Sequence, residues 1–202
     1  ELRLPPYASL ALLGVAVYAA ALWFPPTNSD DLNYLSSVAT TKNPLYYFIQ
    51  DHGHGNNLYR PLTPVSMWLV YQVFGTWALP NQIINLVLHI TNVFLLYRIL
   101  QQHHADKTVA LLVAAVFMIS KYTWLAATWV SDRPMVLTGL FLLLLVGHLS
   151  RHDEGSGDTL TAPIRLPLVA AVSLLALMSK ESGSVVPTVA LLFALVPSRA
   201  TH

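Results

Sequence analysis

Apolar residues in this chain gather in six long runs, at about Tyr7–Phe24, Ile83–Leu100, Thr108–Trp129, Pro134–Leu149, Leu166–Met178 and Ser184–Val196. A helix that crosses a bilayer needs about 20 mostly apolar residues. The pattern therefore predicts an all-α fold, a polytopic membrane helix bundle with about six transmembrane helices in a single module spanning residues 1–202. A further apolar stretch, Pro61–Trp77 (PLTPVSMWLVYQVFGTW), is short, carries Pro61 and Pro64 at its start and ends near Phe74-Gly75. It reads either as a seventh span or as a helix lying in the outer interface, where Trp, Tyr and Phe form belts. The interfacial reading is preferred, because a span here would move Asp132 and Lys180 to the opposite side from Asp30. Residues 25–77 then form an outer loop with interfacial helices.

This threading puts the conspicuous polar clusters on one side: Asp30-Asp31, His52-Gly53-His54 with Tyr59-Arg60, Ser131-Asp132-Arg133, and Lys180-Glu181. The polar segment from Pro25 to Arg60 is about 35 residues, a length at which a connection is usually functional or disordered. Its content of Leu32, Tyr34, Leu35, Val38 and Leu45–Ile49 predicts short packed helices instead of disorder. Asn28-Ser29-Asp30 before Asp31-Leu32 reads as a helix start, where the dipole favours acids. On that reading one acid caps and the other decorates the first turn. The functional reading gains from the pair's position directly after the outer end of the first run.

Composition supports the membrane assignment: 54% of residues are apolar and 10% charged, against roughly 25% charged in soluble domains. A net charge of +1 argues against a nucleic-acid partner, and no Lys/Arg run marks an anionic-lipid patch. The chain has no cysteine, so disulfides are excluded. Arg3, Arg98, Lys107, Arg151, Arg165 and Arg199 fall at one set of span ends, and Lys42, Arg60, Lys121, Arg133 and Lys180 on the other side or near it. The positive-inside bias makes the first set, and the N-terminus, cytoplasmic. The outer cations sit beside acids or aromatics, as site residues would. The first run has no small-residue cleavage site before Pro25-Pro26 and is read as a retained span. The expected location is a bacterial cytoplasmic membrane.

The order of these pieces carries a resemblance. A first span, an outer loop opening on an acidic pair, Tyr-Arg-Pro-Leu at Tyr59–Leu62, an aromatic stretch closing in Phe74-Gly75, Asn85–Leu96 (NLVLHITNVFLL), Trp129–Leu137 (WVSDRPMVL) and Leu177–Val186 (LMSKESGSVV) together resemble the membrane glycosyltransferases of the GT-C superfamily. Within it the chain is similar to protein O-mannosyltransferases, lipid A aminoarabinose transferases and, in the wording of its motifs above all, transmembrane O-mannosyltransferases carrying tetratricopeptide repeats. Such enzymes usually have more spans, and commonly carry an acid after the Arg where this chain has Asp132 before Arg133. The resemblance implies transfer of a sugar from a polyprenyl-phosphate donor to an acceptor on the outer face. It implies Asp30 or Asp31 as the catalytic base, with Tyr59, Arg60, Asp132, Arg133, Lys180 and Glu181 binding substrate.

The chemistry of such a site asks for a base to take the acceptor proton and cations to meet the departing phosphate. A surface carboxylate suits the first task. Arg60 and Arg133, through a bidentate fork, and Lys180, as a point charge, suit the second. Lys180 is expected to turn toward a phosphate while Glu181 anchors a cation such as Arg60 or Arg133. His52 and His54 could contribute to a divalent-metal site with Asp51 or Asp30, but spacing specifies no third and fourth ligand, so no cofactor is assigned. His89 and His148 within spans read as partners of neighbouring helices. The expected partners are the lipid-linked sugar, membrane lipid and other membrane subunits. The alternative function is a non-catalytic subunit of a larger membrane complex, whose outer clusters would contact another protein. A transporter lacks support for want of an inverted repeat.

Overall fold

The computed structural model describes residues 5–23, 29–49, 58–153 and 162–195. Among these residues it holds nine α-helices and no strand: α1 Pro6–Tyr18, α2 Ser29–Thr40, α3 Leu62–Phe74, α4 Leu79–Gln102, α5 Lys107–Ile119, α6 Lys121–Thr128, α7 Arg133–Asp153, α8 Ala162–Leu177 and α9 Val185–Leu195. The all-α bundle is as expected from the apolar runs.

α4 forms the axis and packs against α1, α5, α6 and α7, while α8 and α9 lie against α7. α1 and α5 run antiparallel to α4, whereas α7 runs parallel to it, with Asn92 on Val136 and Ile99 beside Gly147. Tyr7 meets Tyr97 and Phe94 edge-on at one end of α1, and Tyr18 meets His89 at the other. Arg133 at the start of α7 reaches Asn81 and Asn85 near the start of α4. Two apolar clusters fill the bundle. Leu10, Tyr18, Leu86, Val93, Tyr97, Ala110, Ala114 and Met118 join α1, α4 and α5, and Leu145, Ala176 and Val186 join α7, α8 and α9. A third, of Val38, Tyr47, Met67 and Val130, seats α2 and α3 as a cap on the end of the bundle. That cap is stitched by the Trp68 Nε1–H, which donates to Thr41 O (2.9 Å), and by the Tyr47 hydroxyl, which donates to Thr41 Oγ1 (2.9 Å).

One expectation needs correction. The run Thr108–Trp129 is not one helix, because the chain turns at Ser120 (φ −59°, ψ 138°) between α5 and α6. The carbonyls that a continuing helix would use are taken by side chains: the Thr123 hydroxyl donates to Phe117 O (2.7 Å), and the Tyr18 hydroxyl and His89 Nε2 meet Met118 O. Helix lengths bear on the number of spans. Leu79–Gln102 and Val130–Ser150 are long and apolar enough to cross a membrane, whereas Pro6–Tyr18, Leu62–Phe74, Lys107–Ile119, Leu166–Leu177 and Glu181–Leu195 have 10–17 residues. At 1.5 Å per residue a 13-residue helix such as α1 covers about 20 Å of a hydrocarbon core of about 30 Å. Lys180 is extended (φ −161°, ψ 156°) and Glu181–Ser184 is a 3₁₀ turn between α8 and α9.

The Pro61–Trp77 stretch folds as α3, stopped by Gly75 at φ 62°, a left-handed geometry that glycine adopts without strain. The outward faces of the helices are apolar. Leu12 and Val15 on α1, Leu112 and Val116 on α5, and Leu191, Leu192 and Leu195 on α9 are all exposed.

Candidate functional site

Segments far apart in the sequence meet where α2 and α3 cap the bundle. Asp31 lies in the first turn of α2, is 2% exposed, and accepts a hydrogen bond from the Ser131 amide at 2.7 Å. That amide belongs to the 3₁₀ turn Val130–Asp132, whose Val130 is sunk into the cap's apolar cluster. A buried carboxylate needs donors of this kind, since burying an uncompensated charge is costly. Asp30, one residue earlier, is exposed.

A second junction joins Arg60 to Glu181 across 121 positions. The guanidinium donates from Nε to both carboxylate oxygens (2.9 and 3.1 Å) and from Nη2 to Oε2 (2.6 Å). The hydrogen bond from Arg60 holds the Glu181 carboxyl below its ordinary range, and the same bond raises Arg60 above its own. Tyr34 of α2 hydrogen-bonds Arg60; its phenol is pushed up first by burial, with Arg60 opposing and the charges of Asp30 and Glu181 adding to the rise. The Leu62 amide donates to Met178 O (3.2 Å), so backbone as well as side chains ties the start of α3 to the end of α8. Gly183 makes the turn possible: a Cβ there would lie 2.1 Å from Ala176 O.

Arg133 forms the third junction and differs in kind. Its side chain is 0% exposed. Nε donates to Asn85 Oδ1 (2.8 Å), Nη1 to Ser66 Oγ (3.1 Å), and Nη2 to Asn81 O and Oδ1 (2.9 and 2.8 Å). All of these acceptors are neutral oxygens. Ser66 donates onward to Thr63 O (2.7 Å), and Asn85 Nδ2 to Trp129 O (2.6 Å), which fixes both acceptors. Arg133 thus clamps α3, α4 and α7 from within, where a substrate phosphate does not reach it in this conformation.

The remaining candidates sit around these junctions. Tyr59 is exposed, and its hydroxyl donates to Phe48 O (3.2 Å). Asp132 and Lys180 are half-buried, and the Lys180 charge helps hold the Glu181 carboxyl low. His52 and His54 lie outside the described residues. Among those described, no three His, Asp or Glu side chains gather as a metal site would require. A cavity of about 280 Å³ is present, but at the opposite end of the bundle, among Leu95, Arg98, Gln102, Leu144 and Val172. The polar end is a set of knitted junctions by comparison. Sequence reasoning missed Tyr34, Ser66, Asn81 and Asn85. Asn81, Asn85, His89 and Asn92 recur at helical spacing through an apolar run and are all buried, a stripe that the spacing alone could have marked as facing partners.

No protein-family model matches the chain, and no curated protein or solved structure does either.

Proposed function

We propose that this chain is the membrane module of a glycosyltransferase that moves a sugar from a polyprenyl-phosphate donor to an acceptor hydroxyl at the capped end of the bundle, outside the cytoplasmic membrane. The observation that carries the reading is the convergence of Asp30, Asp31, Tyr34, Arg60, Lys180 and Glu181, drawn from three distant segments, at one end of an otherwise apolar bundle. The apolar exterior supports the membrane placement, since soluble monomers rarely expose continuous apolar faces. The six-span arrangement is part of this proposal, with the shorter helices spanning through extension by flanking turns or by local thinning of the bilayer.

Of the two acids, Asp30 is the better base, because it is exposed while Asp31 is enclosed and bonded to the Ser131 amide. Asp30 takes the proton of the acceptor hydroxyl as its oxygen bonds to the sugar's anomeric carbon and the bond from that carbon to the phosphate oxygen breaks. The polyprenyl phosphate leaves with the negative charge, which Lys180 and Arg60 meet. Asp31 and Arg133 hold the frame. Membranes containing the chain, supplied with polyprenyl-phosphate mannose or aminoarabinose, should release polyprenyl phosphate, and Asp30→Asn should slow release by about 10²–10⁴. Full transfer by a folded Asp30→Asn protein would remove Asp30 from catalysis. Orientation is tested apart from activity in this cysteine-free chain. Single cysteines at Lys42 or Tyr59 should react with an impermeant thiol reagent from outside, and those at His104 or Lys107 should not.

A non-catalytic subunit of a larger membrane complex is the second reading. It is favoured by the internal neutralisation of Arg60 by Glu181 and of Asp31 by a backbone amide. It predicts that photo-crosslinkers at Tyr59 and Lys42 capture another membrane protein, and that no polyprenyl-phosphate sugar is consumed.

A further inference from the structure

We infer that the groove between α4, α7 and α8 holds an acyl chain of an anionic phospholipid, with Arg98 on its phosphate. The inference rests on the membrane placement proposed above and not on glycosyl transfer. The cavity of about 280 Å³ is walled by Leu95, Ile99, Leu144, Leu168 and Val172, with Gly147 also in the lining. Such a lining suits a hydrocarbon chain and offers water few polar partners.

The polar lining residues are Arg98, Gln102 and His148, which has a partner of its own. Arg98 and Gln102 stand one turn apart on α4 and so share a face. Arg98 is exposed and takes part in no ion pair or hydrogen bond among the described residues. Gln102 Oε1 is buried and has no donor among them. A guanidinium is a strong phosphate ligand, and a buried amide oxygen without a donor calls for a hydroxyl or amine hydrogen. A phosphoglycerol headgroup brings both, its phosphate to Arg98 and its hydroxyl to Gln102. Choline supplies no such hydrogen. From Gln102 the groove runs back along α4 to Leu95, away from the cytoplasmic end and toward the bilayer interior, as the chain below a cytoplasmic headgroup must. No run of basic residues announces the site; one cation at the mouth of an apolar groove builds it.

The full chain, purified in detergent after exposure to an equal mixture of phosphatidylglycerol and phosphatidylcholine, is analysed for retained lipid by mass spectrometry. Phosphatidylglycerol should be enriched about fivefold over phosphatidylcholine, a selectivity of about 1 kcal/mol. Arg98→Gln should return the ratio to that supplied, and Val172→Trp should reduce retention of both lipids. A photoreactive residue at Leu168, which faces the groove in an otherwise native chain, should crosslink to lipid. No enrichment by the native chain, an unchanged ratio in Arg98→Gln, or crosslinking from position 168 to residues 154–161 would each overturn the site. Carbonate extraction separates the two levels. A chain that washes off membranes defeats the membrane reading itself, whereas an embedded chain without enrichment defeats only the lipid site.

Discussion

Arg133 and Arg60 look alike in the sequence, each a lone arginine near a polar cluster, yet the fold treats them in opposite ways. Arg133 is sealed among neutral oxygens from Asn81, Asn85 and Ser66, while Arg60 lies at the surface with its side chain 18% exposed and is matched by a half-exposed carboxylate. A buried guanidinium whose acceptors are all neutral has no equivalent lodging elsewhere, so it commits three helices to one arrangement. A surface pair trades protein contacts for water at little net gain, which leaves Arg60 free to exchange Glu181 for a ligand anion. Burial therefore separates framework from site better than residue type does.

The sharpest break of this contrast is Arg133→Leu, which orphans the acceptors on Asn81, Asn85 and Ser66 and opens a void. We expect a loss of about 3–5 kcal/mol, or no folded protein, read by denaturant unfolding in detergent. A loss below about 1 kcal/mol would mean that the clamp is not one. Next comes Asp31→Ala, which strands the Ser131 amide and should cost about 1.5–3 kcal/mol, while Asp30→Ala should stay within about 0.5 kcal/mol. Equal effects at the two positions would dissolve the assignment of framework to one and site to the other. Gly183→Ala should cost about 1–3 kcal/mol by forcing the 181–184 turn away from Ala176 O, and should separate Glu181 from Arg60 in a crosslinking assay.

Glu181→Gln is the mildest change, below about 1 kcal/mol near neutral pH because the carboxylate is half exposed. Its pH dependence carries the information. Arg60 depresses the folded-state pKa of Glu181, so the pair's contribution is present above the unfolded value of about 4.3 and fades as pH falls through the lower folded value. The stability gap between the native chain and Glu181→Gln should thus close on acidification below about pH 4, where a constant gap would show that the pair does not form.

Apolar runs made the bundle legible, and the alternation of runs and turns was enough to collect Asp31, Arg60, Ser131 and Glu181 at one end. Legibility stopped where backbone and side chains trade partners. In the stretch 108–129 the pair Ser120-Lys121 is the polar mark of the turn, whose geometry depends on Thr123, Tyr18 and His89 claiming the carbonyls of Phe117 and Met118. Arg133 was read as a phosphate contact because its asparagine acceptors lie 48 and 52 positions away and resemble ordinary polar interruptions of a span. The pairing of Glu181 with Arg60 was legible, but the extended Lys180 and the 3₁₀ turn from Glu181 were not, since they depend on Gly183 lying tight against α8.

The Arg60–Glu181 junction also sets a timetable for biosynthesis. At roughly 5–20 residues per second, a ribosome needs about 6–24 s to cover the 121 positions between the two partners. Through that interval the segment around α2 and α3 must wait beside the emerging helices with its arginine answered by Tyr34 and solvent but by no carboxylate partner from α9's side. The hairpin from α8 to α9 supplies both the carboxylate and the Met178 carbonyl that receives the Leu62 amide. The polar end is therefore completed only once α8 and the 181–184 turn have been made, and a nascent protein stalled before Lys180 would carry its bundle without a closed cap.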